Sequence, residues 1–380
     1  MKIEQAIWTP AKGWTCPSEF SLGREAQLIF MFGGFSLVSN PEYFEFVKRT
    51  YPKAVVIGCS TAGEIYGTRV YDSSISLTAV AFDSAHIAFR SLSLDDCLNS
   101  FEAGKILAGQ LSPEGLKHVF VISEGVSING SLLCKGISSI LPMDISATGG
   151  LAGDQGLFKA SFVYTPEGPA GNALSLLGFY GRELKVGYGH KGGWTPFGLD
   201  RHITRSKENI LYELDGKPAL ELYKKYLGEQ ADGLPATGLL FPLRVNVSGK
   251  EPYLVRTILG VNEQDGSMIF AGDMPQGSCV RLMKANMEKL VEGAAKAAEI
   301  ALKEMGGAEP DLALLISCVG RKLVLKQRAE EEVESVREVL GKNTVLTGFY
   351  SYGEICPTMP GDICELHNQT MTITTFKEGH

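Results

Sequence analysis

The sequence predicts an α/β protein in two related parts, a pseudo-duplicated chain of mixed β-sheets flanked by helices. Short apolar runs of strand length alternate with longer stretches at helical spacing. Two distant segments repeat one order of elements around the same glycine motif. Forty-four of the 380 residues are glycine, against a usual share of about 7%, with no Gly-X-Y period. They are expected at the tight turns that end many strands. A chain of 380 residues exceeds one ordinary core, so two domains are expected.

Leu28 to Phe32 reads as a strand ending at Gly33-Gly34. Asn40-Pro41 starts a helix, because Asn caps the free amides and Pro suits the first turn. Phe44, Val47 and Tyr51 then share one face. Ala54 to Cys59 is the next strand, and Ser76 to Phe82 with Ile87 to Leu92 read as an antiparallel pair. Ala103, Leu107 and Leu111 mark a helix, His118 to Ser123 a buried strand, and Ser131 to Leu141 a helix stopped by Pro142. The glycine-rich stretch 148–154 is expected to be a loop where backbone approaches something closely. Ala173 to Phe179 and Leu184 to Tyr188 are two further strands. Asp215-Gly216-Lys217-Pro218 reads as a turn opening a helix through Leu220, Tyr223 and Leu227, which places the domain boundary at about 208–217. Beyond it come a hairpin turned at Asp265-Gly266 and a long helix from the Asn286 cap to about Met305. Leu312 to Ser317, a helix over Gln327 to Leu340, Thr344 to Phe349 and Gln369 to Phe376 complete the reading.

The echo is Gly58-Cys59-Ser60-Thr61-Ala62-Gly63-Glu64-Ile65 against Gly348-Phe349-Tyr350-Ser351-Tyr352-Gly353-Glu354-Ile355. Both follow strand, helix, strand and precede an alternating strand. Two such corners facing each other would frame a cleft between the parts, a usual place for a ligand. Glu64 and Glu354 carry two readings: each caps amides freed by its glycine turn, or each lines that cleft. A paired acid and base, as in glycoside hydrolysis, finds no further support nearby.

A net charge of -7 and a pI of about 5.5 argue against nucleic acid, and no Lys/Arg run exceeds Lys224-Lys225 or Arg321-Lys322. Glu4 and the lack of an apolar core at the N-terminus argue against a secretory signal. No apolar stretch approaches the ~20 residues that cross a bilayer. A cytoplasmic protein without membrane insertion is expected. The eight cysteines are scattered and read as free buried thiols. No Cys-x-x-Cys-His exists for covalent haem.

Gly187-Tyr188-Gly189-His190-Lys191-Gly192 matches a dinucleotide fingerprint in spacing. The following Gly193-Trp194-Thr195-Pro196 cannot start the helix that such a site needs, so the nucleotide reading is rejected. Gly58 to Gly63 is one residue too long for a nucleophile elbow. Cys356, Cys364 and His367 do not have a zinc spacing, and in a strand Cys364 and His367 would point to opposite faces. His190 beside Trp194 is a binding-loop histidine or a solvated turn residue.

At these residues the chain resembles the FIST sensory proteins, with their N-terminal and C-terminal FIST domains. The carriers are the two glycine motifs, Gly149-Gly150-Leu151-Ala152-Gly153-Asp154, Leu214-Asp215-Gly216-Lys217-Pro218-Ala219-Leu220, and Glu365-Leu366-His367-Asn368-Gln369-Thr370-Met371-Thr372. The resemblance implies FIST domains at 25–210 and 218–376, and a cytoplasmic sensor of a small ligand. The ligand is an amino acid-like metabolite, or haem with nitric oxide as in some stand-alone members. The implied partner is a histidine kinase or a cyclic-di-GMP enzyme. The implied ligand site comprises Cys59, Ser60, Thr61, Gly63, Glu64, Gly150, Asp154, Tyr350, Ser351, Tyr352, Glu354 and Asn368. If non-covalent haem is bound, the chemistry of neutral imidazole makes His367 the first axial ligand, His190 the second and Cys318 a poor third. The cofactor is otherwise unknown. The rival reading is an enzyme acting on a small molecule in the same cleft through a Cys or a Glu.

Overall fold

The computed structural model describes residues 1–246, 253–359 and 361–379. Its first unit opens with β1 (Lys2–Thr9). Strands β2 (Leu28–Gly33) and β3 (Val55–Ser60) lie parallel, joined through helix α1 (Pro41–Thr50). Asn40 caps α1 by accepting from the Glu42 amide. The hairpin β4 (Glu64–Tyr66) and β5 (Arg69–Tyr71) follows. β6 (Ile75–Ala81) then returns antiparallel between β2 and β1. The same order recurs in a second unit: β7 (His86–Ser93), α2 (Ser100–Ala108), β8 (Leu116–Ser123), α3 (Gly130–Ser138), β9 (Ser146–Leu151), hairpin β10 (Val163–Thr165) and β11 (Gly168–Ala170), and β12 (Ala173–Tyr180).

The third unit starts with β13 (Leu184–Lys191) and is interrupted by an insertion. The insertion comprises β14 (Thr195–Lys207), β15 (Ile210–Leu214), α4 (Ala219–Leu227), β16 (Leu243–Asn246), β17 (Leu254–Arg256), β18 (Ile258–Asn262), β19 (Ser267–Phe270) and β20 (Cys279–Lys284). The unit resumes with α5 (Met287–Glu304), β21 (Leu312–Cys318), α6 (Val319–Leu325), α7 (Ala329–Leu340), β22 (Val345–Ser351), hairpin β23 (Gly353–Pro357) and β24 (Cys364–His367), and β25 (Met371–Glu378).

The two echoing segments are thus the first and third copies of a unit that occurs three times. The second copy contains the stretch expected as a loop. Ser146 to Leu151 is a strand there, because Gly149 takes the part of Gly58 and Gly348.

Each unit gives its hairpin to another unit's sheet, and the exchange closes on itself. β4 pairs with β22, β23 with β9, and β10 with β3. Three mixed sheets result, each holding strands from two units. A Cβ at Gly58, Gly149 or Gly348 would overlap the carbonyl oxygen of Met31, Val121 or Leu315 on the neighbouring parallel strand. Glycine is required at these points by close backbone approach.

The inner faces of the three sheets meet in one core. Leu28, Phe30 and Phe32 point inward to Phe120, Ile122, Leu312, Leu314, Ile316 and Phe349, and the Phe32 and Phe349 ring centroids lie 4.7 Å apart. Ile29 and Met31 point outward, into the core beneath α1. Burial on both faces is why these strands read as continuous apolar runs. Helix α5 lies directly on β13. A Cβ at Gly187 would overlap Ala301 O, and one at Gly189 would stand 2.5 Å from Ala297 O. The Gly-x-Gly-x-x-Gly pattern therefore serves helix-on-strand contact, and β13 runs through it to Lys191.

The insertion has its own core, built from Ile203, Leu211, Leu220, Tyr223, Val280 and their neighbours. Buried Arg256 ties it to the body by donating to Leu366 O at 2.8 Å and meeting Glu365 at 3.4 Å. Among the described residues no helix is long and apolar enough to cross a membrane.

Replacing Gly348 by Ala is expected to cost about 3 kcal/mol or more, since main chain on both sides must give way. Gly67→Ala, with open space around its Cβ but a left-handed φ of 59°, should cost only about 1–2 kcal/mol. Urea unfolding of both variants checks the contrast.

Candidate functional site

The glycine corners of all three units meet at one junction. Their main chains bond in a ring. The Ala62 amide donates to Tyr350 O at 2.9 Å, the Gly153 amide to Ser60 O at 2.8 Å, and the Tyr352 amide to Leu151 O at 3.2 Å. Side chains fill what remains. Ser60 Oγ donates to Gly153 O and accepts from the Phe162 amide. Thr61 Oγ1 donates to Glu64 Oε1 at 2.6 Å, and Ser74 donates to Glu64 Oε2 through its amide and Oγ. The third unit repeats this: Ser351 Oγ donates to Glu354 Oε1 at 2.6 Å, and Thr370 donates to Oε2 through its amide and Oγ1. In the second unit Asp154 has the same part, accepting from the amides of Phe158, Lys159 and Ala160 and bonding the Tyr352 hydroxyl. Gly150 pairs with Glu354 across β9 and β23.

The structure thus brings the glycine corners together, but the space expected between them is filled. Cys59, Ser60, Thr61, Glu64, Tyr350, Ser351 and Glu354 are all wholly buried. The two glutamates cap the local turns. Burial outweighs the hydroxyl and amide donors and pushes Glu64 up to about 7 and Glu354 up to about 8. Burial likewise pushes the Cys59 thiol up. Tyr350 faces away from the junction, donating to Glu332 Oε1 at 2.8 Å. Glu332 is paired at 2.7 Å with Arg321, and neither side chain is exposed. Asn368 sits where the insertion meets the body, accepting from the Thr257 amide.

A cavity of about 530 Å³ opens elsewhere, between the third unit and the insertion. One wall is the face of α5 that carries Lys289, Glu292, Gly293, Lys296 and Ile300 at helical spacing. The end of β13 and the turn after it supply His190, Lys191, Gly192, Gly193 and Trp194. The insertion adds Tyr253, Val255 and Met283, and the third hairpin region adds Thr358, Met359, His367 and Thr370. Trp194 is held by its indole N–H donating to Gln369 O at 3.0 Å. Another hollow, about 600 Å³ over α2, is a surface depression rimmed by exposed Leu98, Phe101, Ile106 and Ile140.

His190 and His367, 177 positions apart in the chain, stack here with centroids 3.9 Å apart. His367 Nε2 donates to Cys356 O at 3.0 Å and His190 Nε2 to Thr358 O at 3.3 Å. The carbonyl acceptors place the ring protons on Nε2. His190 Nδ1 is buried without a partner. Burial lowers both rings, His190 to about 4, so both are neutral. This pair does not fit a haem iron. Both Nε2 atoms are turned onto main-chain carbonyls, and His190 Nδ1 is closed off. Cys318 is buried as well. Among the described residues no cluster of three His, Cys, Asp or Glu side chains is placed to hold a metal.

Sequence reasoning singled out His190 and His367, as axial ligands only if haem is bound, and noted Trp194 beside His190. It missed Lys289, Lys296, Tyr253, Met283 and Thr358. The only signal for Lys289 and Lys296 was the polar face of the long helix, which looks like any solvated face.

The family model described as the FIST N domain matches residues 27–217, and that described as the FIST C domain matches residues 219–357. An uncharacterised protein of Methanocaldococcus jannaschii is 24% identical across 92% of this chain and 72% of its own length. Among solved structures, a chorismatase aligns over 99% of this chain and 98% of its own at 10% identity, with a TM-score of 0.36. A cyanuric acid hydrolase from A. caulinodans aligns over 78% and 68% at 10% identity, with a TM-score of 0.23. Likenesses this distant carry no argument about chemistry.

The junction carboxylates set a pH dependence. Their folded values lie above the ordinary 4.5, so the stability they contribute is full below that pH and lost as pH rises through about 7 and 8. The buried neutral histidines act in the opposite sense only below about 6.5. Between pH 6.5 and 8.5 the melting temperature is expected to fall, and to fall less in Glu64→Gln and Glu354→Gln. Melts at the two pH values check the slope.

Proposed function

Because the chain belongs to the FIST family, whose domains are small-ligand sensors in signal transduction, we propose that its ligand occupies the cleft between the third unit and the insertion. The observation that carries this reading is the 530 Å³ cavity itself. It falls in the usual size range of small-molecule sites and lies where the insertion, which has a core of its own, packs Val255 and Met283 onto the core of the body. A ligand touching Trp194 and His367 on one side and Tyr253, Val255 and Met283 on the other favours one placement of the insertion over others. Only such a difference in interaction lets a ligand shift a conformational balance.

Thr370 offers a route inward from the cleft, because its amide and hydroxyl hold Glu354 at the junction. In this reading the output goes to a separate signalling protein, such as a histidine kinase or a cyclic-di-GMP enzyme. The enzyme alternative through Cys59 or Glu354 has no support in the geometry, since both are wholly buried at a filled junction.

Native mass spectrometry of protein taken directly from cells is expected to reveal a retained small molecule. Gly192→Leu should abolish its retention. A Cβ at Gly192 meets its neighbours at 3.5 Å or more, so the variant should fold while its side chain fills the cleft. Retention unchanged in that variant would place the ligand elsewhere.

A further inference from the structure

Resting on that reading of the cleft, we infer that its ligand is a small organic anion, a carboxylate carried on an apolar body. The cleft wall holds three ammonium groups, Lys191, Lys289 and Lys296, against one carboxylate, Glu292. Glu292 is already matched by Lys296 at 2.5 Å. Lys289 meets the neutral Thr195 hydroxyl at 3.3 Å and lies close enough to Glu292 to feel its charge. Lys191 has no ion-pair partner among the described residues. Three lysines against one glutamate leave the lining net positive in a protein whose net charge is -7. A local inversion of sign over a recessed, low-dielectric surface concentrates anions there.

The rest of the lining selects the body of the ligand. Trp194, Val255, Met283, Ile300 and Met359 make an apolar wall. Trp194 is only 6% exposed and its indole is fixed by Gln369 O, so it forms a rigid, packed part of that wall. The histidine pair below is stacked and uncharged, hence no competing cation lies deep in the cavity. The lining has no arginine. Arginine forks favour planar, bidentate recognition, while lysine acts as a point charge. A single carboxylate on an apolar body matches point charges at the rim and an apolar wall within.

The test uses the full chain, with Trp194 fluorescence and calorimetry as readouts. The probes are benzoate and indole-3-carboxylate, each with its neutral carboxamide. The carboxylates are expected to bind about tenfold tighter than the carboxamides, the size of one charge-assisted hydrogen bond. That advantage should shrink to about threefold or less in the Lys191→Ala, Lys289→Ala double variant, judged on the same scale. Both lysines are exposed, so its melting temperature should stay unchanged. Carboxamides binding as well as carboxylates, with Gly192→Leu abolishing both, would overturn the anion assignment and leave the cleft as the ligand site. Binding of neither kind, or binding indifferent to Gly192→Leu, would overturn the cleft reading and this inference with it.

Discussion

Three carbonyl oxygens, of Met31, Val121 and Leu315, stand where a side chain would begin at Gly58, Gly149 and Gly348. The rest of the architecture depends on that close approach. It lets the second parallel strand of each unit come near enough to the first to turn out of its own sheet. The following hairpin is then delivered to another unit, and three such deliveries close a ring. Carboxylates at Glu64, Asp154 and Glu354 satisfy the turns that the crossing exposes. Buried polar groups are tolerated there because donors meet them on nearly every side.

A ring of this kind is stiff, and its centre is solid. A ligand cannot enter it without breaking many main-chain bonds. Adaptability has to come from an element outside the ring, and the insertion in the third unit is that element. It has a core of its own, and it is attached through Val255 and Met283, which pack into the core of the body, and through polar anchors, Arg256 foremost. Removing one partner from such a buried contact costs far more than the contact itself contributes. These anchors therefore set the placement of the insertion, and with it the width of the cleft.

Cleft and junction share a segment. Thr370 lines the cavity and also holds Glu354. His367 faces the cavity and pairs with Glu354 across the third hairpin. A change at the cleft wall is thus one residue away from the ring that joins all three units. Close-packed interiors pass small displacements on instead of absorbing them.

Much of this was legible in the chain. Apolar runs bounded by glycine located most strands, Asn40 and Asn286 marked helix starts by capping chemistry, and the repeated glycine motif exposed the duplication and its buried carboxylates. These are local effects, in which a residue acts on its own main chain, so the order of residues is enough to read them. Tertiary structure alone revealed the second copy, which is hidden because Gly149 to Asp154 is one residue shorter than the other two corners. It also decided that the corners meet with no space between them, and that His190 and His367 stack beside a cavity. Cavities and their linings depend on which surfaces fail to close against each other. That is a property of packing between segments far apart in the chain, and no short pattern of residues encodes it.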